Sequence, residues 1–301
     1  MVSDHTRNPG AGQADGSISH AVPMTQQDIR NHYETQWKST SDAAGDTSGL
    51  GYSNAIEDGV LYPAYERLLD DLHATVTDGR VLDVGSGSGR WIRFFLDRWK
   101  PALLMGIDFT SESIELLRTW HGSSDSPVEF RQADITSTAL DLGGTFDLIN
   151  VANVLFHIPE PDLFAQALAN LASLVDPRGF IVTTEYMPRV TRRTEWMMVR
   201  DRYAFETACA TAGLRIAMVR GFSFFANDPF GIDGPDNGTR LSFCKVRSAI
   251  SNLFTLPLDD QSRKFFVELF SEIERAAVSY ARERIADVDL PGQKLVVLTK
   301  A

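Results

Sequence analysis

Three glycines alternate with serines at Gly85, Gly87 and Gly89, directly after the apolar run 81–84. Glycine lets a backbone turn sharply and approach a ligand where a Cβ atom would collide. Residues 90–99 follow at once, with apolar side chains at helical spacing. A strand, a glycine turn and a helix in this order are typical of the first βα unit of a sheet that binds a nucleoside-like ligand.

Carboxylates stand beside this turn and after the next two apolar segments. Asp83 interrupts the apolar run before the glycines, and Asp108 and Asp134 follow later strand-like stretches. A lone buried carboxylate is costly, so Asp83 should have a partner. An acid at a strand end suits hydrogen bonds from ligand hydroxyl groups, because ligands of such sheets bind at the carboxyl ends of the strands.

The segments that position these residues alternate between strands and helices. We predict strands at 81–84, 102–108, 128–131, 146–151, 180–185, 214–219 and 294–299. We predict helices at 26–38, 55–73, 90–99, 162–175, 201–212, 243–253 and 261–288, and one that Thr110 or Ser111 caps. Pro63 favours a division of the second helix, and 176–179 is a predicted turn. Strands alternating with helices predict an α/β fold with a parallel sheet covered on both faces.

The predicted elements and the local composition divide the sequence into five regions. Residues 1–24 are polar and predicted to be a disordered tail, and 25–78 form an N-terminal helical cap. The α/β core covers 79–221 and its last strand lies within 292–301. The stretch 222–291 is predicted to be an inserted helical lid that recognises the substrate. Its aromatic cluster is either an apolar acceptor pocket or the core beneath the lid; it comprises Phe222, Phe224, Phe225 and Phe230.

Composition narrows the class of protein. The chain has 301 residues, 43% of them hydrophobic, and a formal net charge of −11 at pH 7. That charge argues against nucleic acid or an anionic membrane as the main partner. Cys209 and Cys244 lack metal-type spacing and give no disulfide framework. Without a signal-like segment or a long apolar run, we expect a soluble, cytoplasmic protein with no metal site, and we leave a homodimer open.

The spacing of the glycines separates two classes of cofactor. In the dinucleotide fingerprint G-x-G-x-x-G, the third small residue lets the helix pack on the strand, and the helix N-terminus holds pyrophosphate. Here Arg90 takes that third position, which fits a dinucleotide poorly. The shorter pattern resembles motif I of the class I S-adenosylmethionine (SAM) dependent methyltransferases. In that family the turn approaches the aminocarboxypropyl part of SAM, which carries no phosphate.

Further segments extend the resemblance from about 79 to 219. Residues 132–135 read QADI, and 146–158 read FDLINVANVLFHI, which looks like the family's motif after the fourth strand. Residues 176–179 read DPRG and are similar to the family's L-x-P-G-G turn, with Arg178 in place of the first glycine. The resemblance implies a Rossmann-like class I methyltransferase fold with a seven-stranded, mostly parallel sheet.

The resemblance also implies SAM as cofactor and a set of residues that hold it. These residues are Tyr33, Asp83, Gly85, Ser86, Gly87, Asp108, Phe109, Asp134, Ile135, Asn150 and Asn153. Asp83 would meet the SAM ammonium, Asp108 both ribose hydroxyls, and Asp134 the adenine amino group. Each of these carboxylates also has a purely structural interpretation. Asp83 could accept a hydrogen bond from the glycine loop, Asp108 could cap a helix, and Asp134 could cap the loop that follows it.

Candidate catalytic residues follow the fourth and fifth strands. His157 titrates near neutrality in its ordinary state, which suits acid–base work, although a histidine at this place often only packs or caps. Glu185 and Tyr186 lie at the carboxyl edge, where either could orient an acceptor or take its proton. In the resembled family the N-terminal helix closes over SAM, which gives Tyr33 and Trp37 a place near the cofactor.

These observations predict a SAM-dependent methyltransferase acting on an oxygen or nitrogen of a small molecule, a specialised metabolite or sugar-like compound. Two other classes stay open. One is an NAD-dependent oxidoreductase, which shares the fold. The other is a SAM-binding protein that performs another reaction, such as cyclisation of the aminocarboxypropyl arm, or serves only as a binding subunit.

Overall fold

The computed structural model describes residues 24–40, 52–74, 76–122, 127–230 and 237–301. The predicted disordered tail lies outside these residues apart from Met24, and so does most of the polar stretch before the second helix. None of the described helices combines the length and the apolar character that a membrane span requires. Within the same residues, no group of three or more His, Cys, Asp or Glu side chains could hold a metal ion.

The centre of the molecule is a seven-stranded sheet. Its strands are β1 Arg80–Val84, β2 Leu103–Asp108, β3 Val128–Gln132, β4 Phe146–Val151, β5 Val175–Glu185, β8 Leu214–Gly221 and β9 Lys294–Lys300. Their order across the sheet is β3-β2-β1-β4-β5-β9-β8. The pairs from β3 through β5 are parallel, whereas β9 runs antiparallel to both β5 and β8. The predicted seven-stranded, mostly parallel sheet is confirmed.

Helices cover both faces of this sheet, as the alternating pattern predicts. The helices are α1 Gln26–Thr40, α2 Tyr52–Leu72, α3 Arg90–Arg98, α4 Ser111–His121, α5 Pro161–Leu174, α6 Arg202–Thr211, α7 Asn237–Phe254 and α8 Asp260–Arg282. On one face, Phe164 of α5 and Phe205 of α6 join the buried core. On the other, Tyr65 of α2, Phe95 of α3 and Ile114 of α4 do so. Each apolar layer therefore has a sheet face on one side and helices on the other.

Pro63 does not divide the second helix, contrary to the prediction. Proline has no N–H to donate, so the carbonyl of Gly59, one turn earlier, loses its usual helical partner. In the structure, Arg275 of α8 donates to that carbonyl. A Cβ atom at Gly59 would lie 2.3 Å from Ser271 Oγ, so α2 and α8 touch closely at this point. A tertiary contact thus satisfies the backbone group that proline leaves open.

Two local features of the sheet also differ from the predictions. The predicted turn at 176–179 lies within β5 as a bulge, because Val175 pairs with Phe146 and Phe180 with Leu148. The chain after β5 also forms an unpredicted small hairpin of β6 Arg192–Arg193 and β7 Met198–Val199. At the far edge, Gly221 and Lys294 pair between β8 and β9, so residues 222–293 leave and re-enter the sheet at neighbouring positions.

Candidate functional site

The glycine turn joins β1 to α3 in a backbone conformation that side chains disfavour. Gly85 has φ +71° and Gly87 has φ +52°, both in the left-handed region. A Cβ atom at Gly85 would lie 2.6 Å from Val154 Cγ2, which comes from the segment after β4. Ser86 lies between them and donates from Oγ to the carbonyl of Asp83 at 3.0 Å. The turn therefore packs tightly against the end of β4.

Asp83 is fully buried behind this turn, with one carboxylate oxygen paired and the other not. Its Oδ1 accepts a hydrogen bond from Asn150 Nδ2 at 2.8 Å, and Asn150 Oδ1 accepts one from Tyr65 O–H at 3.1 Å. Its Oδ2 has no hydrogen-bond partner among the residues that the structure describes. Burial raises the pKa of Asp83 to about 7. An unpaired carboxylate oxygen at the turn fits a ligand that brings a cation, such as the ammonium of SAM.

Asp108 ties the end of β2 to two neighbouring elements. Its Oδ2 accepts from the backbone N–H of Gly87 at 3.0 Å, and its Oδ1 accepts from the N–H and the hydroxyl of Thr110, at 2.9 and 2.8 Å. Thr110 in turn caps α4, as predicted. Burial raises the pKa of the Asp108 carboxyl. A carboxylate can accept about four hydrogen bonds, so Oδ2 retains acceptor capacity for a ligand hydroxyl.

Asp134, Ile135 and Phe109 lie together beyond Asp108, under α1. Asp134 Oδ1 accepts from the N–H and hydroxyl of Thr136, at 2.8 and 2.7 Å, and the Ile135 side chain is buried. Asp134 Oδ2 forms an ion pair with Arg30 of α1, 2.5 Å from Nη2. Sequence reasoning missed Arg30, because an arginine on an amphipathic helix gives no sign of which residue it meets.

Tyr33 lies one turn after Arg30 on the same face of α1, where it meets His157. The Tyr33 hydroxyl lies 3.4 Å from His157 Nε2, and His157 Nδ1 lies 3.1 Å from the carbonyl oxygen of Trp196. A carbonyl can only accept, so Nδ1 carries the proton and Nε2 is an acceptor. Burial lowers the pKa of His157 to about 4, which keeps the ring neutral. Trp196 lies in the unpredicted hairpin and also packs against His32, with ring centroids 4.2 Å apart and the rings tilted by 56°.

Asn153 fixes the backbone between β4 and the segment that follows. It adopts φ +59°, and its N–H donates to Thr184 Oγ1 at 2.8 Å. Its side-chain oxygen accepts from Thr184 Oγ1 and from Gln293 Nε2, both at 2.9 Å. These contacts bind the end of β4 to β5 and to the start of β9. The role of Asn153 in holding a cofactor stays a prediction, as do those of the other residues of the set.

The structure places Glu185 and Asp83 on opposite faces of the sheet. Successive residues of a strand face opposite sides, and Glu185 shares the side of Ile181, which packs with Cys209 of α6. Asp83 lies on the opposite side, where its partner Asn150 reaches Tyr65 of α2. Burial raises the pKa of Glu185 to about 8. The structure therefore places this carboxylate on the sheet face opposite Asp83 and within reach of the charge of Arg200. The Arg200 guanidinium donates to the carbonyls of Leu155 and Ile158, near the site that Asp83 and His157 border.

Tyr186 borders the segment after β4 that carries His157. Its ring packs against Phe156, with centroids 5.8 Å apart, and against Phe230 of the insert, at 4.8 Å. Its carbonyl oxygen accepts from the buried ammonium of Lys294 at 2.6 Å. Phe156 directly precedes His157, so Tyr186 borders the region after β4 from the side of the insert.

Glu185→Gln should make the protein more stable at alkaline pH than the unaltered chain. Because the folded-state pKa lies above the ordinary value of 4.5, folding takes up a proton between these values, and stability falls as pH rises through about 8. Each pH unit in that window costs at most about 1.4 kcal/mol. Urea denaturation at about pH 6 and about pH 9 measures the difference. Glu206→Gln, at a partly exposed position of α6, is the control; equal pH dependence in both variants would contradict the assignment.

The parallel sheet, its glycine turn and the carboxylates at the strand ends define an α/β protein of the Rossmann-like class. Residues 81–179 match a family model described as a methyltransferase domain. The ubiquinone biosynthesis O-methyltransferase of Chromobacterium violaceum is 29% identical over 111 residues, which are 37% of this chain and 46% of that relative. The enzyme of the same name from Paracidovorax citrulli is 28% identical over 166 residues, 48% of this chain and 67% of the relative.

The chain thus spans about half the length of the first of these relatives. Among solved structures, a chain from the complex between the Haloferax volcanii Trm112 methyltransferase activator and a methyltransferase has a TM-score of 0.51 and 16% identity. The likeness covers 92% of this chain and 97% of that one, and concerns the fold. The match of residues 81–179 to the methyltransferase-domain model supports the class I SAM-dependent methyltransferase family that the motifs predict, and SAM is the cofactor of that family.

Proposed function

We propose that the protein transfers the methyl group of SAM to an oxygen or nitrogen atom of a small molecule, a specialised metabolite or sugar-like compound. The observation that carries the proposal is the unpaired Oδ2 of Asp83, buried at the glycine turn. An ammonium group offers this oxygen both charge and a hydrogen bond. The names of the curated relatives support oxygen as the first acceptor atom to test.

SAM supplies an activated sulfonium methyl group when it is bound, so the protein has to position the reactants and exclude water. Asp83 would hold the ammonium, Asp108 the ribose hydroxyls, and Asp134 the adenine amino group. Phe109 and Ile135 would pack on the adenine. Trp37 of α1 lies against Gly87, where a Cβ atom would be 3.1 Å from its ring, so α1 shields the turn from solvent.

The acid–base group on this site is His157. Its ring is neutral, and its Nε2 faces a hydroxyl already, that of Tyr33. An acceptor hydroxyl in place of the Tyr33 hydroxyl could give its proton to this nitrogen. The hydrogen bond from Nδ1 to the Trp196 carbonyl fixes both the tautomer and the orientation of the ring. Of the three catalytic candidates, His157 is therefore the one the contacts favour.

The inserted segment, residues 222–291, would form the side of the site that contacts the acceptor. The carboxylate of Glu274 in α8 accepts hydrogen bonds from successive backbone N–H groups of the loop after β8, including Phe225 at 2.8 Å and Ala226 at 3.0 Å. This holds the loop that carries Phe230, whose ring meets Tyr186. We propose that the segment 222–291 sets the choice of acceptor, because its aromatic side chains border the region beyond β4 and β5.

The charges around Arg90 weigh against a dinucleotide. Arg90 is the first residue of α3, and its guanidinium pairs with Asp58 and lies 3.6 Å from Glu57, both of α2. These two acids bring negative charge to the helix N-terminus that would hold pyrophosphate in an NAD-dependent enzyme. SAM carries no phosphate, so the arrangement supports SAM over NAD.

Calorimetric titration with SAM, S-adenosylhomocysteine (SAH) and NAD(H) is the first test, followed by transfer of labelled methyl groups to phenols, sugars and amines. Binding of SAH together with methyl transfer supports the proposal. Binding of NAD(H) alone would establish the oxidoreductase, and SAH binding without transfer to any acceptor would establish a binding protein or another SAM reaction.

His157→Asn tests the acid–base role within that assay. Asparagine keeps an N–H for the Trp196 carbonyl but removes the Nε2 acceptor. We expect SAH affinity within about threefold of the unaltered protein, and transfer to an oxygen acceptor slower by about 100-fold, as for loss of a general base. Tyr33→Phe removes the facing hydroxyl and serves as the comparison. Unchanged transfer by the asparagine variant would exclude His157 as the base.

A further inference from the structure

Arg30 lies in the part of the site that the proposed function gives to adenine. Its Nη2 is 2.5 Å from Asp134 Oδ2, and its Nη1 donates to the carbonyl of Phe109 at 3.3 Å. Its guanidinium carbon lies 4.8 Å from the centroid of the Phe109 ring. One planar group thus bridges the aromatic ring and the carboxylate that are the two proposed adenine partners.

A guanidinium and an adenine ring present similar chemistry to these partners. Both are flat, both can stack on an aromatic face, and both carry N–H donors at their edge. Asp134 Oδ1 is committed to Thr136, which leaves Oδ2 as the oxygen for a further donor. Arg30 already donates to this oxygen and lies over the Phe109 ring, so an adenine stacked on that face of Phe109 with its amino group at Oδ2 would occupy the space of the guanidinium.

We propose that Arg30 competes with adenine for Phe109 and Asp134, and so sets the affinity and specificity of the cofactor site. The inference rests on the proposed function, because it takes Asp134 and Phe109 as adenine partners. Adenosine binding then requires the guanidinium to leave Asp134. The displaced arginine keeps α1 near the site through the other contacts of that helix.

Those other contacts hold both ends of α1 in place. At its start, the N–H of Gln26 donates to Glu160 Oε1 at 2.9 Å, and the N–H of Met24 donates to the carbonyl of Glu195 at 3.0 Å. Further along, Tyr33 meets His157 and Trp37 meets Gly87. Release of Arg30 therefore costs one ion pair, one cation–π contact and the hydrogen bond to the Phe109 carbonyl, without detachment of the helix.

Titration of the full chain with SAH tests the competition. Arg30→Ala frees Asp134 and should bind SAH about 10-fold more tightly, since a partly exposed ion pair and a cation–π contact no longer oppose adenine. The side chains of Arg30 and Asp134 are 29% and 28% exposed, so salt should screen their pairing. The unaltered protein should therefore gain affinity as NaCl is raised, and Arg30→Ala should not.

Two variants control for charge and shape. Arg131→Ala removes an arginine that pairs with Glu129 on the exposed part of β3, and should leave SAH affinity unchanged. Arg30→Lys keeps the positive charge but lacks the planar guanidinium. Its SAH affinity should lie between those of the unaltered protein and Arg30→Ala. Circular dichroism of each variant verifies that it is folded.

The outcomes separate this inference from the proposed function. Tighter binding by Arg30→Ala, with loss of the salt effect, supports the competition, even where the unaltered protein binds too weakly to measure. Equal or weaker binding by Arg30→Ala overturns it and makes Arg30 neutral or a positive contact of the cofactor. Failure of both proteins to bind SAH would mean that the proposed function itself is wrong.

Discussion

Asp83→Asn should weaken SAH binding by about 100-fold at about pH 8, a larger effect than we expect for any neutral contact of the site. The ligand's ammonium loses a carboxylate oxygen that accepts no hydrogen bond from any described residue. An interaction with a charged hydrogen-bond partner in a buried place contributes on the order of 3 kcal/mol, which corresponds to that factor. Isothermal titration calorimetry measures the affinity directly.

The pH dependence of binding gives Asp83 a signature of its own. Because burial raises its pKa to about 7, part of the carboxyl is protonated at neutral pH, and an ammonium requires the ionised form. Binding should therefore release a proton, and affinity should rise with pH, by up to about 10-fold per unit below pH 7, and level off above it. Proton release appears as a dependence of the binding enthalpy on the buffer.

Asp83→Asn should bind SAH more weakly, and its SAH affinity should no longer rise with pH below pH 7. Glu185→Gln, which changes a carboxyl with a raised pKa on the opposite side of the sheet, should keep the slope and serves as the control. A slope that persists in Asp83→Asn would assign the proton to another group and contradict the ammonium contact.

Asp108→Ala should also weaken SAH binding by about 100-fold, and for two reasons. The ribose hydroxyls lose their acceptor, and the glycine turn loses the bond that Gly87 N–H makes to Asp108 Oδ2. Two or more buried hydrogen bonds to a charged group correspond to at least 3 kcal/mol by the usual measure, about 100-fold in affinity. The protein should still unfold in one cooperative thermal transition, because the sheet itself is untouched.

Thr110→Val is the control for this variant. It removes the hydroxyl that donates to Asp108 Oδ1 and caps α4, but it leaves the carboxylate and its bond from Gly87 N–H in place. We expect a loss of no more than about fivefold, in line with one neutral donor. An affinity that stays unchanged in Asp108→Ala would contradict the ribose assignment, whatever the result for Thr110→Val.

The sequence predicted the architecture well because local patterns and fold topology agree in this chain. The strand ends, the glycine turn and the cap at Thr110 each depend on neighbours within a few residues. The pairing of Asp83 with Asn150 also follows from the strand order, since β1 and β4 are adjacent and place these residues opposite each other. A buried carboxylate in a strand was a correct signal for a polar partner.

The parts that the sequence did not predict depend on contacts between distant segments. A parallel sheet covered on both faces is apolar on both, so alternation could not tell which face Glu185 occupies. The hairpin that carries Trp196 has strands of two residues each, too short for a periodic pattern. The continuity of α2 through Pro63 depends on Arg275, more than two hundred positions later in the chain.

The pairing of Gly221 with Lys294 has a consequence for how this protein can diverge. Recombination at two points beside these residues would exchange the whole insert, residues 222–293, between relatives. The hydrogen bonds between the strands of the sheet would be kept. Such a chimera still has to match α2, because Gly59 leaves room for Ser271 and gives its carbonyl to Arg275. We expect viable recombinants to inherit α2 and residues 222–293 from the same parent. Substitutions in these two segments should therefore co-vary as the range of acceptors changes.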